Sequence, residues 1–145
     1  MKKLTITLIL LVGAYALTAC NVQFSTASVG NAQLCKMVSD KYEAINPTTN
    51  FATTDKEFHC LVQINNAPGD TKLRARWIAV NAPGMEANEK LVETDLPAAG
   101  GRNADFRMTA KNGLPPGEYK VEIYLNPQEG NAEPPAKTLD FSVKS

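Results

Sequence analysis

Histidine is almost missing from this sequence: His59 is the only one in 145 residues. The three cysteines, Cys20, Cys35 and Cys60, show no C-x-x-C spacing. Ordinary structural zinc sites draw four ligands from Cys and His, and this set does not assemble one. A nucleophile elbow and an H-E-x-x-H pair are also absent, so no catalytic, metal or cofactor site is expected. Neither charge is in excess, with 15 Lys and Arg against 15 Asp and Glu. A nucleic-acid binder needs a basic stripe, which argues against that class. No long apolar run is present either. The mostly apolar stretch Leu4 to Leu17 has 14 residues, and as a helix it would reach about 21 Å, short of the roughly 30 Å hydrocarbon core.

That stretch follows the basic start Met1-Lys2-Lys3 and precedes the small residues Thr18-Ala19. Residues 1–19 therefore read as a removable signal segment, with a retained N-terminal anchor helix as the alternative. Leu17-Thr18-Ala19-Cys20 resembles the lipobox of bacterial lipoproteins. The resemblance implies that Cys20 receives a diacylglyceryl thioether and becomes the acylated N-terminus after cleavage. Each buried methylene contributes about 0.8 kcal/mol, and two or more chains anchor stably where one does not. Asn21 after the cysteine is similar to an outer-membrane sorting signal. The implied address is the bacterial cell envelope, lipid-anchored at the outer membrane, on its periplasmic or surface face.

With Cys20 committed to lipid, Cys35 and Cys60 form an even pair in an oxidising compartment, and a disulfide between them is expected. Closing that segment would stabilise the fold by about 3–3.5 kcal/mol in the chain-entropy model. Two redox or metal thiols are the less supported alternative. The mature chain from Cys20 onward carries 13 basic and 15 acidic residues. Its size suits one domain with a modest core. Residues 20–33 are small and polar, without sustained period, and read as the lipidated N-terminus and a flexible tether. The domain is then expected over 34–145.

Alternation dominates that region. Leu34 to Val38 reads as a first strand, and Ser39 to Ile45 is ambiguous between a short helix and an irregular edge. Phe58, Cys60, Val62 and Ile64 share one face of the next strand, while His59, Leu61 and Gln63 share the other. Leu73, Ala75 and Trp77 face one way in the following strand; Lys72, Arg74 and Arg76 face the other. Asn-Ala-Pro-Gly turns flank that strand on both sides. Shorter alternating runs follow at 90–94 and 105–110. A long one, Glu118 to Leu125, is fed by Leu114-Pro115-Pro116-Gly117, and a last run covers 137–144. About seven short strands with regular turn signals imply an all-β antiparallel sandwich.

Leu114-Pro115-Pro116-Gly117-Glu118-Tyr119 resembles the Leu-x-Pro-Gly-x-Tyr turn of fibronectin type III and immunoglobulin-like domains. The resemblance implies a tyrosine corner at Tyr119, with Trp77 in the core of the sandwich. It also marks a departure from antibody-type domains, because Cys35 and Cys60 would join the first two strands.

Few side chains suggest chemistry. The Lys72, Arg74, Arg76 row could bind an anion, but Glu118, Lys120, Glu122 and Tyr124 on a neighbouring strand would offer it cross-strand partners. His59 is expected to face solvent. Asp95, Asp105 and Glu93 lie near one loop and are expected to be solvated, as scattered loop carboxylates usually are. The leading expectation is a non-catalytic interaction or accessory module. It would bind a protein or envelope partner through the 82–90, 95–104 and 126–135 loops, with Met85 exposed. The alternative is a small inhibitor or chaperone of an envelope enzyme that lends an edge strand.

Overall fold

The computed structural model describes residues 27–98 and 100–145. The signal segment and Cys20 lie outside the described residues. Nine strands form two sheets: β1 (Ser28–Val38), β2 (Ala44–Pro47), β3 (Asn50–Ala52), β4 (Glu57–Asn65), β5 (Lys72–Asn81), β6 (Glu89–Pro97), β7 (Ala104–Thr109), β8 (Gly117–Leu125) and β9 (Lys137–Lys144). One sheet has the order β2-β1-β4-β7 and the other β3-β9-β8-β5-β6. The sandwich is the expected architecture, with two short strands, β2 and β3, added to the seven main ones. Between them the chain crosses the edge of the sandwich, and β3 joins the second sheet parallel to β9.

The alternation read from the sequence places the core. Phe58, Cys60, Val62 and Ile64 from β4 meet Leu73, Ala75 and Trp77 from β5, together with Tyr119, Val121 and Ile123 from β8; all are buried. Phe141 sits among the rings of Phe51, Trp77 and Tyr119, with centroids 5.2–5.9 Å away. Burying side chains of this size contributes about 1.5–3 kcal/mol each. The tyrosine corner is formed: the Tyr119 hydroxyl donates to the Pro115 carbonyl at 2.7 Å. Gly117 is required by space rather than by φ. A Cβ there would stand 2.6 Å from the Asn81 carbonyl oxygen and 2.8 Å from the Ala82 Cβ.

Two boundaries move. β1 begins at Ser28, so 28–33, expected as tether, pair with β4. β6 runs on to Pro97, taking Asp95 out of the expected loop.

The Cys35–Cys60 disulfide is not formed; both are buried free thiols. The register explains this. Cys35 stands opposite His59 and Cys60 opposite Leu34. Opposed residues share a face and successive ones alternate, so Cys60 enters the core while Cys35 leaves by the outer face.

Candidate functional site

β1 pairs with β4 only as far as Cys35; residues 37 and 38 pair with β2 alone. The β1–β2 hairpin thus peels away from the sheet. Its turn reaches the far side of β4, where the Asn103 side-chain amide donates to the Tyr42 carbonyl at 3.2 Å. We call residues 36–46 the strap.

The strap explains why an outer sheet face is dry. Cys35, His59 and Leu61 lie on that face, yet all three are buried. His59, expected in solvent, is only 7% exposed. Its Nδ1 lies 3.0 Å from both carboxylate oxygens of Asp105, with the imidazole as donor in the tautomer that makes this bond. The Nε2 end is 4.0 Å from the Glu57 carboxylate. A cysteine, a histidine and an aspartate are therefore neighbours, a combination that invites a thiol-nucleophile reading. The details oppose it. Burial, and then the Asp105 carboxylate, push the Cys35 thiol up, while backbone hydrogen bonds from Ile45 and Met37 pull the other way. A nucleophilic cysteine needs its thiolate favoured. Here the thiol is held neutral and the trio is a buried polar support for the strap.

Both arginines of the β5 basic row are engaged, whereas Lys72 makes no ion pair among the described residues. Arg74 makes a bidentate pair with Asp95, Nε–Oδ1 at 2.7 Å and Nη2–Oδ2 at 2.8 Å, and its Nη2 also donates to Glu129 at 2.6 Å. Arg76 donates to Glu93 and lies over the Tyr124 ring, 4.7 Å from its centroid. The principal partners come from β6 rather than β8. β6 sets Asp95 directly opposite Arg74 and Glu93 opposite Arg76, whereas Glu122 is taken by Lys120 and by the Tyr124 hydroxyl. These contacts hold the Asp95 and Glu93 carboxyls below their ordinary range, through the hydrogen bonds from Arg74 and Arg76 first. Asp105 sits in the other sheet. The three acidic residues that the sequence placed near one loop therefore do not converge.

Of the expected binding loops, the 82–90 segment tucks Met85 against the core, so it is not the exposed anchor that was expected. The 126–135 loop commits Glu129 to Arg74. The 100–103 part of the expected 95–104 loop does face open space. With the strap turn and the end of β6 it lines a cleft of about 1000 Å³. The sequence carries one sign of the covered face: Leu61 is apolar on the side of its strand expected to face solvent.

No family model matches this chain, and no curated protein matches it. Among solved structures, it is similar to an immunoglobulin-like protein from Pseudomonas aeruginosa. The TM-score is 0.53 at 13% identity, over 81% of this chain and 96% of that one. The fold is immunoglobulin-like. Weaker likenesses are to parts of two larger proteins. One is the alkylpurine DNA glycosylase AlkC from Pseudomonas fluorescens, with TM-score 0.48 and 12% identity over 82% of this chain and 30% of that one. The other is a GH3 beta-glucosidase from Bifidobacterium adolescentis, with TM-score 0.46 and 11% identity over 83% and 17%.

Proposed function

We propose that the chain is a lipid-anchored envelope protein whose immunoglobulin-like domain binds a protein partner through the outside of the strap. One observation carries the reading. Of the four large apolar side chains exposed among the described residues, Met37 (54%), Tyr42 (49%) and Ile45 (39%) all lie on the β1–β2 hairpin. Met37 and Ile45 are directly opposed across its two strands. Single exposed apolar residues are ordinary, but a cluster marks a contact surface. Met and Tyr are also among the residues enriched at interfaces. Cys20 would carry the acyl chains by its lipobox resemblance, holding this surface at the outer membrane.

The test is site-specific photocrosslinking in intact envelopes. A crosslinker at position 37 or 45 should capture one defined protein, and one at the exposed Glu86 should not. Capture should fall in Cys20→Ala and vanish when Met37→Ser and Ile45→Ser are combined. Equal background at all three positions would end the proposal.

A second reading has one observation in its favour. β6 is nine residues long and forms an open edge of the five-stranded sheet, with Val92 38% exposed. Such an edge could accept a partner strand, as an inhibitor or chaperone would use it. Capture at position 92 in place of 37 and 45 would favour it.

A further inference from the structure

The cleft beneath the strap turn adjoins the apolar outer side of the hairpin and shares Tyr42 with it, but the rest of its lining differs in chemistry from that surface. We infer that it binds a neutral saccharide. Asp40 and Tyr42 stand on the strap side and Pro97 at the end of β6, with Arg102, Asn103 and Asp105 along the third wall. The open cleft's volume of about 1000 Å³ is at the large end of the range for small-ligand sites.

The polar groups are poised for a ligand that both donates and accepts. Asp40 and Arg102 are exposed, and among the described residues neither makes an ion pair or a side-chain hydrogen bond. They have opposite charges in one cleft, yet they do not pair with each other. Asp105 is held in place by His59, and a carboxylate has lone pairs left to accept further hydrogen bonds. Asn103 spends one amide hydrogen on the Tyr42 carbonyl and keeps its carbonyl oxygen and second hydrogen. A cationic ligand would meet Arg102, and an anionic one would meet two carboxylates. A neutral polyol satisfies both sets, since each hydroxyl donates once and accepts twice.

The apolar part of the lining comes from Val38, Leu96 and Pro97, with Tyr42 as its aromatic residue. Tyr42 has φ of +58°, a conformation that costs a non-glycine residue about 1–2 kcal/mol and that is unusual for so bulky a side chain. Glycine or asparagine would make this turn more cheaply. A half-exposed ring at this strained position is available to a ligand in the cleft. An aromatic face is electron-rich and suits the C–H face of a sugar ring.

The inference stands independently of the protein-partner proposal, because its test contains no partner. Saturation-transfer NMR and calorimetry on the mature chain in phospholipid nanodiscs would use cellobiose, maltotriose and N,N′-diacetylchitobiose as probes. Glucosamine, galacturonic acid and tetra-alanine serve as charged and peptide comparators. At least one neutral saccharide should bind, with strongest transfer to its ring C–H protons. Tyr42→Ala and Asp40→Asn should each weaken binding about tenfold, the scale of one or two lost contacts. Glu86→Gln should leave it unchanged. Tyr42 and Asp40 are exposed, and unchanged melting temperatures would show that these variants fold. Three outcomes overturn the inference: no neutral probe binds at millimolar concentration, only a charged or peptide probe binds, or saccharide binding is indifferent to both substitutions.

Discussion

The side chains of Cys35 and Cys60 leave neighbouring strands in opposite directions, one toward the strap and the other into the core. Joining them would require a one-residue slip of β1 against β4, and that slip would bring Leu34 out of the core. Both thiols are therefore expected to be free. Alkylation of denatured, unreduced Cys20→Ala protein should label both, while the native protein should resist because neither sulfur is exposed. An unlabelled denatured protein that reacts only after reduction would show the bridge instead.

The depth of Cys60 has a consequence in alkali. Burial chiefly, with added repulsion from Cys35 and Asp105, pushes its thiol up to about 12, against about 8.5 in an unfolded chain. A group raised in the folded state contributes stability that is complete below the unfolded value. That contribution is lost as pH climbs toward the folded one. Between about pH 8.5 and 10, unfolding free energy should fall by up to roughly 1.4 kcal/mol per pH unit from this thiol alone. Urea melts of the wild type and Cys60→Ala across that range check the claim. The variant will be less stable throughout because of the cavity it leaves, but its slope should be smaller.

In acid the charged face of the second sheet should fail first. Asp95 is lowered by its bond to Arg74, and Glu93 by its bond to Arg76. The sign is the reverse of the thiol case: stability is present above the ordinary carboxylate range and is lost as pH falls through the lowered folded values. Asp95→Asn should therefore be destabilised at neutral pH, and the gap to the wild type should narrow as pH falls through and below the ordinary carboxylate range. A gap that stays constant with pH would assign the effect to packing.

The sandwich could be read from alternation because its core needs only local information. A residue such as Val121 faces inward whatever strand lies beside it, and the runs around Ile64, Trp77 and Val121 all say so. The short strands β2 and β3 were not legible. Three or four residues carry too little period, and their pairing depends on Met37 and Ser142, which lie elsewhere in the chain. His59 was misplaced for a related reason. Its strand gave the correct face, but its burial comes from a strap whose path over β4 depends on where β1 stops pairing. The engagement of Arg74 needed the register of β6, which set Asp95 opposite it. Composition gave no access to that register.

The tyrosine corner permits a clean deletion. Tyr119→Phe keeps the ring stacked 5.2 Å from Phe141 and removes only the hydroxyl bonded to Pro115. The loss should be about 1–2 kcal/mol, the net hydrogen bond plus part of the cost of an unsatisfied carbonyl. At this size that corresponds to a melting temperature lower by roughly 3–10 °C. No change in melting temperature would mean that water replaces the contact without cost.

The turn that leads into that tyrosine offers a sharper test, because two glycines of the chain sit in contrasting surroundings. At Gly117 an added methyl group would meet the Asn81 carbonyl oxygen at 2.6 Å and Ala82 at 2.8 and 2.9 Å. The oxygen and the Ala82 Cα are main-chain atoms and cannot rotate away, so β8 would have to withdraw from the end of β5. At Gly69 nothing lies within 4 Å, and its φ lies outside the left-handed region. Gly117→Ala should cost about 2 kcal/mol or more, through overpacking. Gly69→Ala should be neutral or stabilise by about 0.4–1 kcal/mol, because it narrows the unfolded ensemble. Paired denaturation curves decide the matter. Similar shifts for both would show that Gly117 serves the turn through backbone freedom, whereas a large loss at Gly117 alone assigns it to the close packing of Pro115–Tyr119 against the end of β5.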